Sequence, residues 1–194
     1  MSILMNELIN QINTYHQLSP YTIEALQGIF TVKTFKKNEI ILRAGDVARY
    51  YYFVKSGLLG YHTIDENGNI IYKLFFEENS FCASTSSIIQ ESSSEFSIVA
   101  LEDSEVIVYS ANIFRKLITE HHDLALFQIA YLEKNWVVKK EPLEINLKSE
   151  SAKQRYKELH ANQKLFNRLK QHQIASYLGI TPTQLSRIRR ELNF

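Results

Sequence analysis

Gln184 and Arg187 stand three positions apart in the stretch Gln173–Leu192, QIASYLGITPTQLSRIRREL, with Arg189 and Arg190 close behind. A carboxamide and a guanidinium each present two hydrogen-bonding prongs. The first matches the edge of adenine and the second the edge of guanine, for roughly 1–3 kcal/mol of discrimination per pair. Ser186, Arg189 and Arg190 have chemistry suited to phosphates, whose contacts position a protein without reading sequence. With Thr183 the candidate DNA-binding set is Thr183, Gln184, Ser186, Arg187, Arg189 and Arg190. These six can act together only from the outer side of one helix.

The flanking residues supply that helix and a second one to brace it. Ile174, Ala175 and Leu178 put apolar side chains on one side of a short helix, with small Ala175 where another helix can cross closely. Gly179 falls where the chain must reverse, a left-handed position that glycine takes at least cost. Ile180 can plug the space between the helices. Thr181 is an N-cap, Pro182 the first helical residue, and Gln184 completes a capping box. Leu185, Ile188 and Leu192 then form the buried stripe. A helix-turn-helix whose second helix enters the major groove has this organisation. The plainer alternative is a helical hairpin with a solvated basic face.

Charge distribution favours the first reading. From Lys148 to Phe194 there are ten Lys and Arg against three Asp and Glu, a balance of +7. The remainder holds twelve against eighteen, a balance of −6, so the near-neutral total of +1 conceals an acidic body and a basic tail domain suited to a polyanion. A single cysteine, Cys82, excludes an internal disulfide and a four-cysteine metal or iron–sulfur site in one chain. No apolar run reaches the roughly 20 residues that span a bilayer. Met1–Tyr15 lacks a basic start and unbroken apolar core of a signal peptide, so the expectation is a cytoplasmic protein without membrane contact.

Upstream, Ile3, Leu4, Leu8, Ile9 and Ile12 have helical spacing, and Ser19-Pro20 opens a second helix through Ile23, Leu26 and Phe30. From Thr31 to Tyr109 the chain is rich in β-branched and aromatic residues, cut by turn chemistry about every ten residues; Asn67-Gly68 is the strongest hairpin signal. Such spacing predicts an all-β barrel or sandwich. Helical spacing returns at Ala111–Thr119 and again from Asp123. There Leu124, Phe127, Tyr131, Lys134 and Val138 make a heptad-like seam, with Ile129, Leu132 and Trp136 on another face. One face can cover the barrel and the other a symmetry mate; the seam is the candidate dimer interface. Pro142 ends or kinks the helix, and Glu141–Ser151 reads as a hinge.

The order barrel, long helix, helix-turn-helix resembles the Crp/Fnr transcription regulators over nearly the whole chain. Glu39–Asp46 (EIILRAGD) is similar to the family's first barrel turn, and Tyr51–Leu58 (YYFVKSGL) to its strand and glycine turn. Asn79-Ser80-Phe81 leads towards the phosphate-binding cassette, and Ser151–Tyr156 (SAKQRY) resembles the start of the DNA-binding domain. The resemblance implies an α+β fold: an N-terminal double-stranded β-helix (jelly-roll, cyclic-nucleotide-binding-like) sensor domain over 1–120, a dimerisation helix and hinge over 121–147, and a helix-turn-helix (winged-helix-like) domain over 148–194. It further implies a homodimer that binds double-stranded DNA, works with RNA polymerase and controls transcription.

The cassette departs from the family pattern. Cyclic-nucleotide binders carry a Gly-Glu pair and, ten residues on, an arginine; here Ala83, Ser84 and Ser94 take those positions, and no Arg or Lys lies between Lys73 and Arg115. A phosphate in a half-buried pocket needs a cation or several aimed donors. Ala83, Ser84, Thr85 and Ser94 are therefore a degenerate effector site, and cyclic AMP is not the expected ligand. The run Ser84–Ser87 reads as a capped surface turn, or as the start of a short helix offering amides to an anion. Cys82 is either a buried filler or, beside that helix, a thiol of lowered pKa. The scattered histidines point to no metal or haem, so no cofactor is expected.

A β-hairpin wing beside the recognition helix, present in many members of the family, has no counterpart before Phe194; Lys164, Arg168 and Lys170 would then share the phosphate contacts. Two other classes stay open: a sensing module that regulates a protein partner, and a barrel for another small ligand. An enzyme on a metal-binding barrel would need clustered His and Glu, and His62 is the barrel's one histidine; no catalytic residue is assigned.

Overall fold

The computed structural model describes residues 6–140 and 151–192. The chain divides into two units, Met1–Tyr61 with Phe75–Lys140, and His62–Leu74 with Glu141–Phe194. Ile3, Leu4, Pro142 and all of the expected hinge except Ser151 lie outside the described residues.

The first unit opens with α1 (Asn6–Asn13) and α2 (Pro20–Gln27). Ser19 caps α2 as its sequence predicts: its side chain accepts from the Thr22 amide at 3.2 Å, and Pro20 occupies the first turn. Eight strands follow: β1 (Thr31–Phe35), β2 (Ile40–Leu42), β3 (Tyr50–Ser56), β4 (Leu59–Ile64), β5 (Ile70–Phe76), β6 (Phe81–Cys82), β7 (Ser97–Ala100) and β8 (Ser104–Ser110). They form two four-stranded sheets, in the orders β1-β8-β3-β6 and β2-β7-β4-β5. The short helix α3 (Thr85–Gln90) lies between β6 and β7; α4 (Ala111–Glu120) and α5 (His122–Leu132) follow the last strand.

Strand β8 carries four consecutive buried residues, Val106 to Tyr109, and β3 three, Tyr52 to Val54. A strand buried on one face would alternate. Both faces are covered here. Phe53, Ile107 and Tyr109 join the cluster of Leu8, Ile12, Leu26 and Leu124 from the helices, so the alternate residues Tyr52, Val54, Val106 and Val108 must face the barrel. Phe53 pairs with Ile107, and Tyr52 with Val108, which keeps each pair on one side.

Two turns show why glycine stands where it does. Gly57 has φ +91°, and a Cβ there would meet the Asp103 carbonyl oxygen at 2.7 Å, so both conformation and space demand glycine. In the Asn67-Gly68 turn only Gly68, at φ +81°, takes the left-handed region. Asp65 organises the rest, its carboxylate accepting from the amides of Asn67 and Asn69 at 2.9 and 2.8 Å. Those bonds to Asn69, its side chain foremost, hold the Asp65 pKa below the usual carboxylate value.

Among the described residues, the second unit contains the hairpin residues 62–74 and four helices: α6 (Ala152–Ala161), α7 (Gln163–Phe166), α8 (Gln171–Leu178) and α9 (Pro182–Glu191). Tyr156, Ile174, Ala175, Leu178 and Leu185 form its buried centre. Ser176 of α8 meets the strand backbone directly. Its hydroxyl accepts from the Tyr72 amide at 3.0 Å and donates to the Ile70 carbonyl. Residues 62–74 thus group with the C-terminal helices, a pairing that the sequence boundaries at 120 and 148 do not anticipate.

Candidate functional site

Helix α8 ends and α9 begins within three residues, and each is held by backbone chemistry. Gly179 sits at φ +66°; its amide donates to the Ser176 carbonyl at 3.1 Å and the Ile180 amide to that of Ala175 at 3.0 Å. These two bonds are a Schellman motif, which closes a helix around a left-handed residue. Thr181 then caps α9. Its hydroxyl accepts from the Gln184 amide at 3.2 Å, while Gln184 Oε1 accepts from the Thr181 amide at 2.9 Å.

Helix α9 has two distinct sides. Leu185 is 2% exposed, and Ile188, Arg189 and Leu192 are half-buried, at spacings of three and four residues. Thr183, Gln184, Ser186, Arg187 and Arg190 are exposed. Thr183, Arg187 and Arg190, at i, i+4 and i+7, line up along one outward stripe.

Two members of the expected set sit differently. Arg189 lies with the buried stripe: its Nε is enclosed, and its guanidinium lies against the Tyr156 hydroxyl. Burial raises the Tyr156 pKa, partly offset by that cation. Four residues separate Arg189 from Leu185, one helical turn along the same face. Gln184 is exposed, but its carbonyl oxygen is committed to the cap. A two-pronged adenine contact needs that oxygen, so Gln184 can read a base only by giving up the capping bond.

In the first unit the cassette positions come together. Ser84 and Ser94 are 1% and 3% exposed, with their hydroxyl oxygens 2.8 Å apart. Ala83 and Thr85 flank them, half-buried. The Tyr61 hydroxyl donates to Ser84 at 3.1 Å. Ser87, also buried, accepts from the Ala48 amide at 3.0 Å and donates to the Ser92 carbonyl. The run Ser84–Ser87 is therefore no surface turn, because Ser84 and Ser87 serve the interior; Ser84 makes no capping bond to α3. Sequence reasoning counts Tyr61 among the aromatic residues near the barrel but does not join it to the cassette. Its one signal was a tyrosine inside the apolar stretch Leu58–Tyr61, where a buried hydroxyl requires a partner.

Cys82 is 1% exposed, and burial pushes its thiol pKa upward, opposite to an activated sensor cysteine. His62 is likewise buried, with its pKa lowered by burial and its ring 5.4 Å from that of Tyr72. Among the described residues no three His, Cys, Asp or Glu side chains are grouped to hold a metal ion.

Helix α5 continues as a π-helical segment, Glu133–Val138. The heptad seam proves to be largely the inner face. Leu124 and Phe127 are 0% and 3% exposed within the core of the first unit, and Tyr131 packs on that core. Lys134 lies over the Tyr15 ring at 5.2 Å. Of the seam only Val138 is a strongly exposed apolar residue. The second stripe, Ile129, Leu132 and Trp136, is exposed, whereas the seam expected to form the dimer interface is largely taken up by the chain's own core. Tyr15 and Phe81 explain the burial of the seam: their rings, brought near by the fold, pack on Phe127 and Tyr131.

Residues 32–121 match the family model of the cyclic nucleotide-binding domain. The barrel is thus similar to cyclic nucleotide-binding domains. No curated protein matches the chain by sequence. Among solved structures, the chain is similar to the c-di-GMP responsive global regulator CLP of Xanthomonas campestris, at 16% identity over 90% of this chain and 92% of that one, with a TM-score of 0.71. It is also similar to the catabolite activator protein of Thermus thermophilus, at 21% identity over 94% and 86%, with a TM-score of 0.58. A regulator from Eubacterium rectale assigned to the Crp/Fnr family matches at 18% identity over 91% and 84%, with a TM-score of 0.64. At these identities the likeness is one of fold, and the fold is Crp/Fnr-like. Among the described residues no helix is long and apolar enough to cross a membrane. The positions expected to form the cassette, Ser84 and Ser94, carry buried hydroxyls.

Proposed function

We propose that the chain is a homodimeric, sequence-specific DNA-binding transcription regulator of the Crp/Fnr type, acting in the cytoplasm and needing no cyclic AMP. The outward stripe of α9 carries this reading. Thr183, Arg187 and Arg190 are exposed on a helix whose other side is buried and whose start is fixed by the Thr181 cap. Arg187 is the base reader, two-pronged to guanine, while Arg190 and Ser186 meet phosphates. Arg189 braces α9 against α6 instead. The chain would work with RNA polymerase to control transcription.

The dimer forms through Ile129, Leu132, Trp136 and Val138, an apolar face that is costly to leave in water. Two-fold symmetry then predicts a DNA site of two inverted half-sites, about 34–36 Å apart centre to centre. CLP is described as responsive to c-di-GMP, a phosphodiester. This chain has no Arg or Lys between Lys73 and Arg115 to compensate such a charge.

Selection from a random-sequence duplex pool, with the purified protein and no added ligand, tests the proposal. Enrichment of a two-fold symmetric site is the expected result. A pool that stays random after repeated rounds would rule out ligand-free sequence reading.

A further inference from the structure

Tyr61 is 6% exposed on β4 of the barrel, and both ends of its side chain are occupied. The ring stacks on Phe96 with centroids 4.6 Å apart and meets Phe76 edge-on at 6.4 Å. The hydroxyl reaches Ser84, whose oxygen is 2.8 Å from that of Ser94. Ser94 also lies 2.7 Å from the Phe96 carbonyl oxygen and accepts from the Phe96 amide at 3.2 Å. A hydroxyl has one proton to give. Ser84 therefore accepts from both Tyr61 and Ser94, and the one Ser94 proton is shared between Ser84 and the Phe96 carbonyl. An incoming ligand would have to break this chain and displace a stacked ring, with no cation in the cassette to compensate a phosphate.

We infer that Tyr61 is a built-in occupant of the effector site. Its phenol, together with Ser94, takes up the acceptor sites of Ser84, and its ring stacks on Phe96 beside them, holding the domain in its DNA-binding form without a diffusible ligand. This inference rests on the reading of the chain as a DNA-binding regulator.

The test uses the full chain and its selected DNA site, with Tyr61→Ala, Tyr61→Phe and p-cresol, which replaces the missing side chain as a free phenol. Folding of each variant is checked by circular dichroism, and binding is measured well below its unfolding temperature. Wild type should bind without additive, with neither cyclic AMP, cyclic GMP nor p-cresol changing its Kd more than about twofold. Tyr61→Ala should bind at least about tenfold more weakly, a population shift that p-cresol reverses and toluene, lacking the hydroxyl, reverses less. Tyr61→Phe, which keeps the ring, should lose about threefold and carries the test if the alanine variant does not fold. Folded variants that bind DNA as tightly as wild type would overturn the inference, as would tightening of wild type by a cyclic nucleotide. Wild type that binds no DNA would instead overturn the functional reading. In that case the built-in occupant predicts that p-cresol raises the Tm of Tyr61→Ala and not of wild type, and the absence of that difference would sink it too.

Discussion

Arg189 of α9 lies against the hydroxyl of Tyr156 in α6, its Nε enclosed on the buried side of the helix. Two positions earlier, Arg187 is exposed. One short segment thus contains two arginines with opposite duties, one bracing α9 and one facing outward.

Stability measurements on the two alanine variants should separate those duties. Arg189→Ala leaves the Tyr156 hydroxyl without its cationic neighbour and should cost about 1–3 kcal/mol in chemical denaturation. Arg187→Ala removes an exposed side chain and should stay within about 0.5 kcal/mol of wild type. Equal stability of the two variants would contradict the assignment.

Helix α5 exposes Ile129 and Leu132, and its π-helical extension exposes Trp136. Leu132→Glu should convert the dimer to monomer in analytical ultracentrifugation while its circular dichroism spectrum is retained. Leu124→Ala acts in the core and should destabilise by about 2–5 kcal/mol. A Leu132→Glu protein that stays dimeric would place the interface elsewhere.

Local rules made the capped helices and turns legible in the sequence: Ser19-Pro20, Thr181-Pro182 with Gln184, and Gly179 each form the predicted structure. The chemistry of the capping box was legible, but not its consequence, because one oxygen of Gln184 cannot serve cap and base together. The two faces of α5 could not be ranked, since both are apolar and the choice depends on the distant rings of Tyr15 and Phe81. Arg189 was misplaced because charge alone puts an arginine outside, whereas a buried hydroxyl on α6 draws it in. Ser84 and Ser87 read as surface residues for the same reason: hydroxyls are buried when the fold supplies partners, here Tyr61, Ser94 and the Ala48 amide.

The junction of α2 and α5 gives the first unit an acid-sensitive contact. Burial works against the Asp123 charge, but the Ser19 amide, the Thr22 and Ser19 hydroxyls and the Leu124 amide outweigh it and hold the carboxyl down at about 2. A depressed folded-state pKa stabilises fully above the unfolded value, about 4, and the contribution disappears as pH falls from about 4 to about 2. After allowance for solvent screening it amounts to about 1 kcal/mol. Asp123→Asn should be less stable than wild type at neutral pH, with the difference vanishing near pH 2; a difference that persists there would contradict the assignment.

Cys82 pairs with Tyr52 across β6 and β3 inside the barrel. Its buried, pKa-raised thiol should resist aromatic disulfide reagents in the native protein and react fully once the protein is unfolded. Rapid stoichiometric labelling of the native protein would reopen a redox role.

Direct reading of DNA by Arg187 is the central claim, and fluorescence anisotropy on the selected site measures it. Wild type, Arg187→Ala and Arg190→Ala would be titrated against that site and against a scrambled duplex at two salt concentrations. Arg187→Ala should lose about 1–3 kcal/mol on the selected site and most of its preference over the scrambled one. Arg190→Ala should weaken both duplexes alike and flatten the salt dependence. Selectivity that survives Arg187→Ala unchanged would contradict the account.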